Sequence, residues 1–304
     1  MHKIPTLSVV LPSYNNGAVV PGTVEKILDV CPLNTEIIVV VDGSTDGSRA
    51  ILTDLHREEQ AVHAKYHESR RGKGASVRDG MRIAHGTYVA FADADMSVHP
   101  RYIRQAVELM EADETLGMVI GWRERYHALP LRKIAHTIFH MIGLVLLGIP
   151  FRDTQAPMKV FRASVGKKLF SSLRTNGYAF DVELLLAAME RGVKFQELRV
   201  VQKYTKSSMR PASALLAGID IVRIYQRFCM RALWRTLLPP ARQKRSWSLL
   251  ALRHILFFPL SCVALPALVF LSYVLAAGEG GKRLISKCSC QFRGRALAGR
   301  QIRS

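Results

Sequence analysis

The chain has 304 residues, 49% of them hydrophobic, enough to bury a full α/β domain with material left over. Its 43 Lys and Arg against 24 Asp and Glu give a formal charge of +19. Five scattered cysteines (Cys31, Cys229, Cys262, Cys288 and Cys290) exclude a disulfide framework or a four-ligand zinc site and read as free thiols of a reducing compartment.

A β-branched run at 7–11 (LSVVL), closed by Pro12, predicts a first strand that begins almost at the N-terminus and leaves no room for a signal peptide. A helix is expected near 20–30, a strand at 36–41 (EIIVVV), a helix at 48–60 and a short strand at 62–67. A further helix at 76–84 precedes the strand 88–92 (YVAFA). Short apolar runs alternating with amphipathic helices predict a doubly wound, mostly parallel sheet with buried strands. Ligands of such sheets sit beyond the carboxyl ends of the strands, and that is where the polar clusters fall.

Farther along, 134–147 (IAHTIFHMIGLVLL) is too short to span a bilayer and fits either a core helix or an interfacial one. Within 212–238, Arg223, Arg227, Arg231 and Arg235 recur every four residues beside apolar and aromatic positions. That stripe suits a headgroup boundary or a solvated helix face. Residues 255–277 carry no charged side chain and are long enough to cross a hydrocarbon core, although Pro259 and Pro266 interrupt them and a buried core helix is the alternative. From Thr205 onward 17 bases face only Asp220 and Glu279, so the positive excess adjoins this apolar run. Such a tail suits nucleic acid or an anionic membrane, and the uncharged run favours the membrane and no nucleic acid. The expected organisation is a catalytic domain at 1–211, a basic amphipathic region at 212–245, a hydrophobic membrane segment at 246–280 and a basic, disordered tail at 281–304.

Each strand end bears its own motif: PSYNNG at 12–17, DGSTDG at 42–47, RRGKGA at 70–75 and FADADMS at 91–97. Glycines ahead of a helix let backbone N–H groups approach phosphate oxygens, and Lys73 adds a point charge. Asp42 is placed to fix a base or ribose. Two aspartates at i and i+2, Asp93 and Asp95, can reach one cation, and hard oxygen donors favour Mg²⁺ or Mn²⁺ over zinc. Spacing alone leaves open a metal pair or the polar end of a buried strand; the place at a strand end favours the metal. Ser97 is a candidate to hold a water on that cation.

In this order the motifs resemble the donor half of family 2 glycosyltransferases of GT-A fold. VIGWR at 119–123, Arg132, DTQAPMKVF at 153–161 and YAFDVELL at 178–185 are similar to its polyprenyl-phosphate branch, the dolichyl-phosphate glucose and mannose synthases and their bacterial relatives. The resemblance covers about residues 5–211 and departs from the family pattern at Asn16, Val41, 156–158, His136 and Ser208. It implies that Asp93 and Asp95 hold the metal, and that Pro12, Tyr14, Asn15, Asp42, Asp46 and Lys73, with Asp93, line the nucleotide sugar. It implies that Arg123 and Arg132 bind the acceptor phosphate, with Asp153, Gln155, Lys159 and Glu183 nearby.

The implied reaction is inverting transfer of a hexose to a polyprenyl or dolichyl phosphate, giving a β-linked lipid-phospho-sugar. GKGASVRDG and DTQxxxK lean toward UDP-glucose over GDP-mannose as donor. A lipid phosphate is already anionic, so positioning and leaving-group stabilisation would outweigh proton transfer. The implied location is a membrane, bacterial cell membrane or eukaryotic ER, with the catalytic domain cytosolic. A transferase acting on a polysaccharide or glycolipid hydroxyl, and a catalytically weak membrane scaffold, are the competing readings.

Overall fold

The computed structural model describes residues 5–31, 34–123, 151–202 and 216–228. All lie in one compact unit formed by Met1–Arg125 and Ile149–Phe228. The segment expected as a core or interfacial helix (134–147), the expected membrane-crossing run (255–277) and the basic tail lie outside the described residues. No helix among the described residues is long and apolar enough to cross a membrane.

The first half alternates as its hydrophobic pattern dictates. In chain order it runs β1 (Leu7–Ser13), α1 (Val20–Val30), β2 (Thr35–Asp42), α2 (Ser48–Glu58), β3 (Val62–His67), α3 (Lys73–Ile83) and β4 (Tyr88–Ala92). β2 and β4 are buried along their whole length, as strands covered on both faces must be. β1 continues through Pro12 to Ser13. Pro12 is tolerated there because β4 pairs only with Leu7–Val10, so the end of β1 has no second strand to bond.

The second half runs α4 (Arg101–Ala112), β5 (Met118–Arg123), β6 (Met158–Arg162), α5 (Ala163–Ser171), α6 (Phe180–Glu190) and β7 (Phe195–Val200), and residues 216–228 are helical. One seven-stranded sheet has the order β3-β2-β1-β4-β6-β5-β7. β6 is antiparallel to both β4 and β5, while the remaining pairs are parallel. The predicted mostly parallel sheet is therefore present, with one reversed strand beside the central β4.

One face of the sheet packs an aliphatic core from β1, β2 and β4 against α1, α2 and α4. An aromatic cluster is built from Phe91 of β4, Phe161 of β6, Phe170 of α5 and Phe180 of α6, with ring centroids 5.6–6.5 Å apart. At the opposite end from the strand C-termini, buried Glu36 accepts hydrogen bonds from the Ser8 hydroxyl and the His85 and Gly86 amides. This lashes the starts of β1, β2 and β4 together.

Candidate active site

The carboxyl ends of β1, β2, β3 and β4 bring the four motifs side by side. Asn15 stitches the first loop to the second: its amide donates to Ser44 Oγ (3.0 Å) and its side-chain oxygen accepts the Thr45 N–H (2.9 Å). Asp46 accepts the Gly17 N–H at 2.9 Å and the Ser48 hydroxyl, tying the start of α2 to the first loop. Burial raises its pKa, but the Ser48 hydroxyl and the Gly17 and Ser48 amides outweigh that and hold it low. The Tyr14 ring lies 4.1 Å under the Arg70 guanidinium, joining the first loop to the third. Pro12 is half-buried at the root of this wall.

Asp42 is buried, and its carboxylate is engaged within the protein. Oδ1 accepts the Arg71 N–H and Oδ2 the Gly72 N–H, both at 2.7 Å, and His67 Nδ1 lies 2.9 Å from Oδ1. The expectation that the amides of 70–75 cradle a phosphate is corrected by the same contacts. Arg71 and Gly72 give their N–H groups to Asp42, and those of Gly74 (2.7 Å) and Ala75 (3.2 Å) go to the Asn176 carbonyl. The glycines serve close packing instead. A Cβ on Gly72 would stand 2.5 Å from the Asn176 oxygen, and one on Gly74 2.6 Å from the Thr175 oxygen. Because Asn176 satisfies its first amides, α3 begins at Lys73, three residues before the predicted start.

Lys73 therefore projects from the first turn of α3, and its Nζ is 2.5 Å from Asp93 Oδ1. Burial works against the ammonium, yet the charges of Asp93 and Asp181, with Tyr178, hold its pKa above the ordinary lysine value. Asp93 follows β4 with one-third of its side chain exposed, and Asp95 is exposed beside it. Met96 closes the turn with its N–H on the Asp93 carbonyl (3.0 Å) and a φ of +44°. A non-glycine residue there stores about 1–3 kcal/mol, strain of the kind that clusters at functional sites. The Ser97 amide donates to Asp95 Oδ1 (3.1 Å), while its buried hydroxyl has no protein partner. Two adjacent carboxylates and an orphaned hydroxyl, all hard oxygen donors, fit a divalent cation completed by ligand oxygens and water. Among the described residues no three His, Cys, Asp or Glu side chains converge.

Opposite stand the predicted acceptor residues. Arg123 ends β5 and grips Asp153 with both prongs, Nε to Oδ2 at 2.5 Å and Nη2 to Oδ1 at 2.9 Å. Nη2 also donates to the Gln155 carbonyl (3.1 Å), and Nη1 makes a long 3.4 Å bond to Gln202. Burial lowers the guanidinium pKa, but Asp153 first, then Asp93 and Asp181, raise it further. Gln155 has an exposed side chain. Arg132 lies outside the described residues.

Lys159 is fully buried, bonded to Asp181 (2.6 Å) and the Ala156 carbonyl (3.0 Å), with Phe91 beneath it. Glu183, also buried, accepts the Arg174 (3.0 Å) and Thr175 (2.8 Å) amides and pairs with Arg227 at 3.2 Å. Both brace the walls of the site from within. Asp181, which sequence reasoning passed over, lies inside the quoted YAFDVELL; its partner Lys159 stands 22 residues earlier, so no local signal joined them. Burial holds the Asp181 pKa above its ordinary value, even though Lys159 and Lys73 pull it down.

The chain as a whole is similar to known proteins. Residues 8–170 match the family described as Glycosyl transferase family 2. A dolichyl-phosphate beta-glucosyltransferase of Drosophila melanogaster is 32% identical over 253 residues, 75% of this chain and 77% of that protein. One of Dictyostelium discoideum is 27% identical over 254 residues, 75% and 76% of the two chains. The fold is shared with glucosyl-3-phosphoglycerate synthase from Mycobacterium tuberculosis in complex with Mn²⁺, UDP-glucose and phosphoglyceric acid. That similarity has a TM-score of 0.58 at 18% identity, covering 74% of this chain and 80% of the other. With the family match spanning more than half of the chain and a sheet of the GT-A type beneath it, the protein is a glycosyltransferase and belongs to glycosyl transferase family 2.

Proposed function

We propose that the chain transfers glucose from UDP-glucose to a polyprenyl phosphate, with inversion, giving a β-linked polyprenyl-phospho-glucose at the cytosolic face of a membrane. The observation that carries this reading is the 32% identity, across three-quarters of the chain, to a protein named dolichyl-phosphate beta-glucosyltransferase. The cluster of Asp93, Lys73 and Arg123 supplies the groups such a reaction needs.

Asp93 and Asp95 would hold Mg²⁺ or Mn²⁺, which neutralises the departing diphosphate as a Lewis acid. Lys73, released in part from Asp93 when a diphosphate enters, adds a positive charge on the same oxygens. The wall built by Tyr14, Asn15, Asp46 and the turn on Asp42 gives the nucleotide a fixed surface. Arg123, held rigid by Asp153, presents Nη1 to an acceptor phosphate, and Arg132 is its proposed companion. That acceptor is already an oxyanion, so no side chain need remove its proton, and alignment with the anomeric carbon carries the rate. The exposed Leu216, Ile219 and Arg223 of the 216–228 helix support contact with a lipid headgroup layer.

The test is a matrix of UDP-glucose and GDP-mannose against undecaprenyl and dolichyl phosphate with the purified full chain and Mn²⁺ or Mg²⁺. The expected product is a β-glucosyl lipid phosphate, the anomer read by NMR. Transfer to a sugar hydroxyl with none to lipid phosphate would overturn the proposal, and product from GDP-mannose alone would overturn the choice of donor.

A further inference from the structure

His67 ends β3 with its ring buried between two carboxylates. Nδ1 lies 2.9 Å from Asp42 Oδ1 on β2, and Nε2 lies 2.9 Å from Asp79 Oδ2 on α3. A neutral imidazole has one N–H and one bare nitrogen, and an ionised carboxylate only accepts. A neutral ring would therefore set a lone pair against a carboxylate oxygen in one of the two contacts; an imidazolium donates in both. Asp79 is itself kept ionised: burial raises its pKa, but His67, then Arg71, Lys65 and Arg82, outweigh it and hold it low. Arg71 bonds Asp79 at 2.9 Å and Arg82 approaches at 3.6 Å. Asp42, as described, spends its remaining capacity on the amides of Arg71 and Gly72.

Both carboxylates thus converge on one turn, Asp42 by accepting the backbone amides of Arg71 and Gly72 and Asp79 by accepting from the Arg71 side chain. The next residue is Lys73, whose ammonium meets Asp93. We propose that His67 is a positioning residue, which bridges Asp42 and Asp79 and through them locks the turn that aims Lys73 into the donor site. The ring touches no substrate on this account.

The proposal rests on the transferase reading only for its kinetic arm. In ¹⁵N-labelled full-length protein, hydrogen exchange at the Arg71 and Gly72 amides, read by NMR spectroscopy, is expected to be about tenfold or more faster in His67→Gln than in wild type. Unchanged exchange at both amides would overturn the proposal. His67→Gln, which can donate to only one of the two carboxylates, is expected to raise KM for UDP-glucose roughly 10-fold or more, as loss of a charge-assisted bond does, with kcat changed far less. An unchanged KM would also overturn it. Wild-type protein that turns over no UDP-glucose would defeat the proposed function, while the amide-exchange result for His67→Gln would still stand or fall by itself.

Discussion

Lys159 shows at the scale of single residues how a sequence motif can mislead. In DTQAPMKVF it reads as an acceptor ligand, yet it is fully buried against Asp181. Nothing local announces that, because its partner lies on α6 and a lysine inside an apolar run looks the same whether it reaches solvent or an internal acid. Removing one member strands the other charge, so Lys159→Met should destabilise by about 3–5 kcal/mol in chemical denaturation. Adding Asp181→Leu should recover most of that loss and also restore turnover; recovery of the fold without turnover would return Lys159 to the acceptor site. The place of Asp93 and Asp95 in the fold, by contrast, was legible, since a carboxylate pair directly after a buried strand in an alternating α/β pattern falls at the carboxyl end of the sheet. Cys31 is buried with its thiol pKa pushed up to about 12, largely by desolvation. It should stay unalkylated in native protein at pH 8 and react once denaturant is added, as mass spectrometry of its peptide would report.

At the scale of elements, the strands and helices of the first half followed from hydrophobic period, most of their ends included, while the start of α3 did not. α3 starts at Lys73 because Asn176 completes its first amides, a contact about a hundred residues away in sequence. Gly74→Ala would drive a methyl into the Thr175 carbonyl and the Phe180 side chain, and should cost about 1–3 kcal/mol in thermal or denaturant unfolding. The start of β2 offers a pH test. Burial raises the Glu36 pKa, but the Ser8 hydroxyl and the His85 amide and ring outweigh it and hold the carboxyl below its ordinary value. A depressed folded pKa gives stability that is present above the ordinary carboxylate range and is lost as pH falls through the lowered value. Wild type should therefore lose its advantage over Glu36→Gln in urea midpoints as pH drops from 7 toward 3; a constant gap would assign the cluster no linkage.

For the whole molecule, the parallel half of the sheet was readable and the remainder was not. β6 runs antiparallel between β4 and β5, and its pairing with β4 joins segments about seventy residues apart. Such pairing leaves no periodic trace. Charge distribution was readable directly, and it makes the 216–228 helix the described part of the basic region. If that helix meets headgroups, the full chain should float with anionic vesicles and release with salt, and Arg223→Gln should weaken binding by about fivefold, near 1 kcal/mol per basic residue. Equal flotation with zwitterionic vesicles would assign the attachment to apolar contact alone. The central claim, that a metal-supported donor site at Asp93 and Asp95 feeds a lipid phosphate, is tested most directly by label transfer. Tritiated UDP-glucose, Mn²⁺ and polyprenyl phosphate should yield organic-extractable, mild-acid-labile glucose with wild type and at least about 100-fold less with Asp95→Ala. Extractable label at equal rates in the two proteins, or none with wild type, would contradict the account.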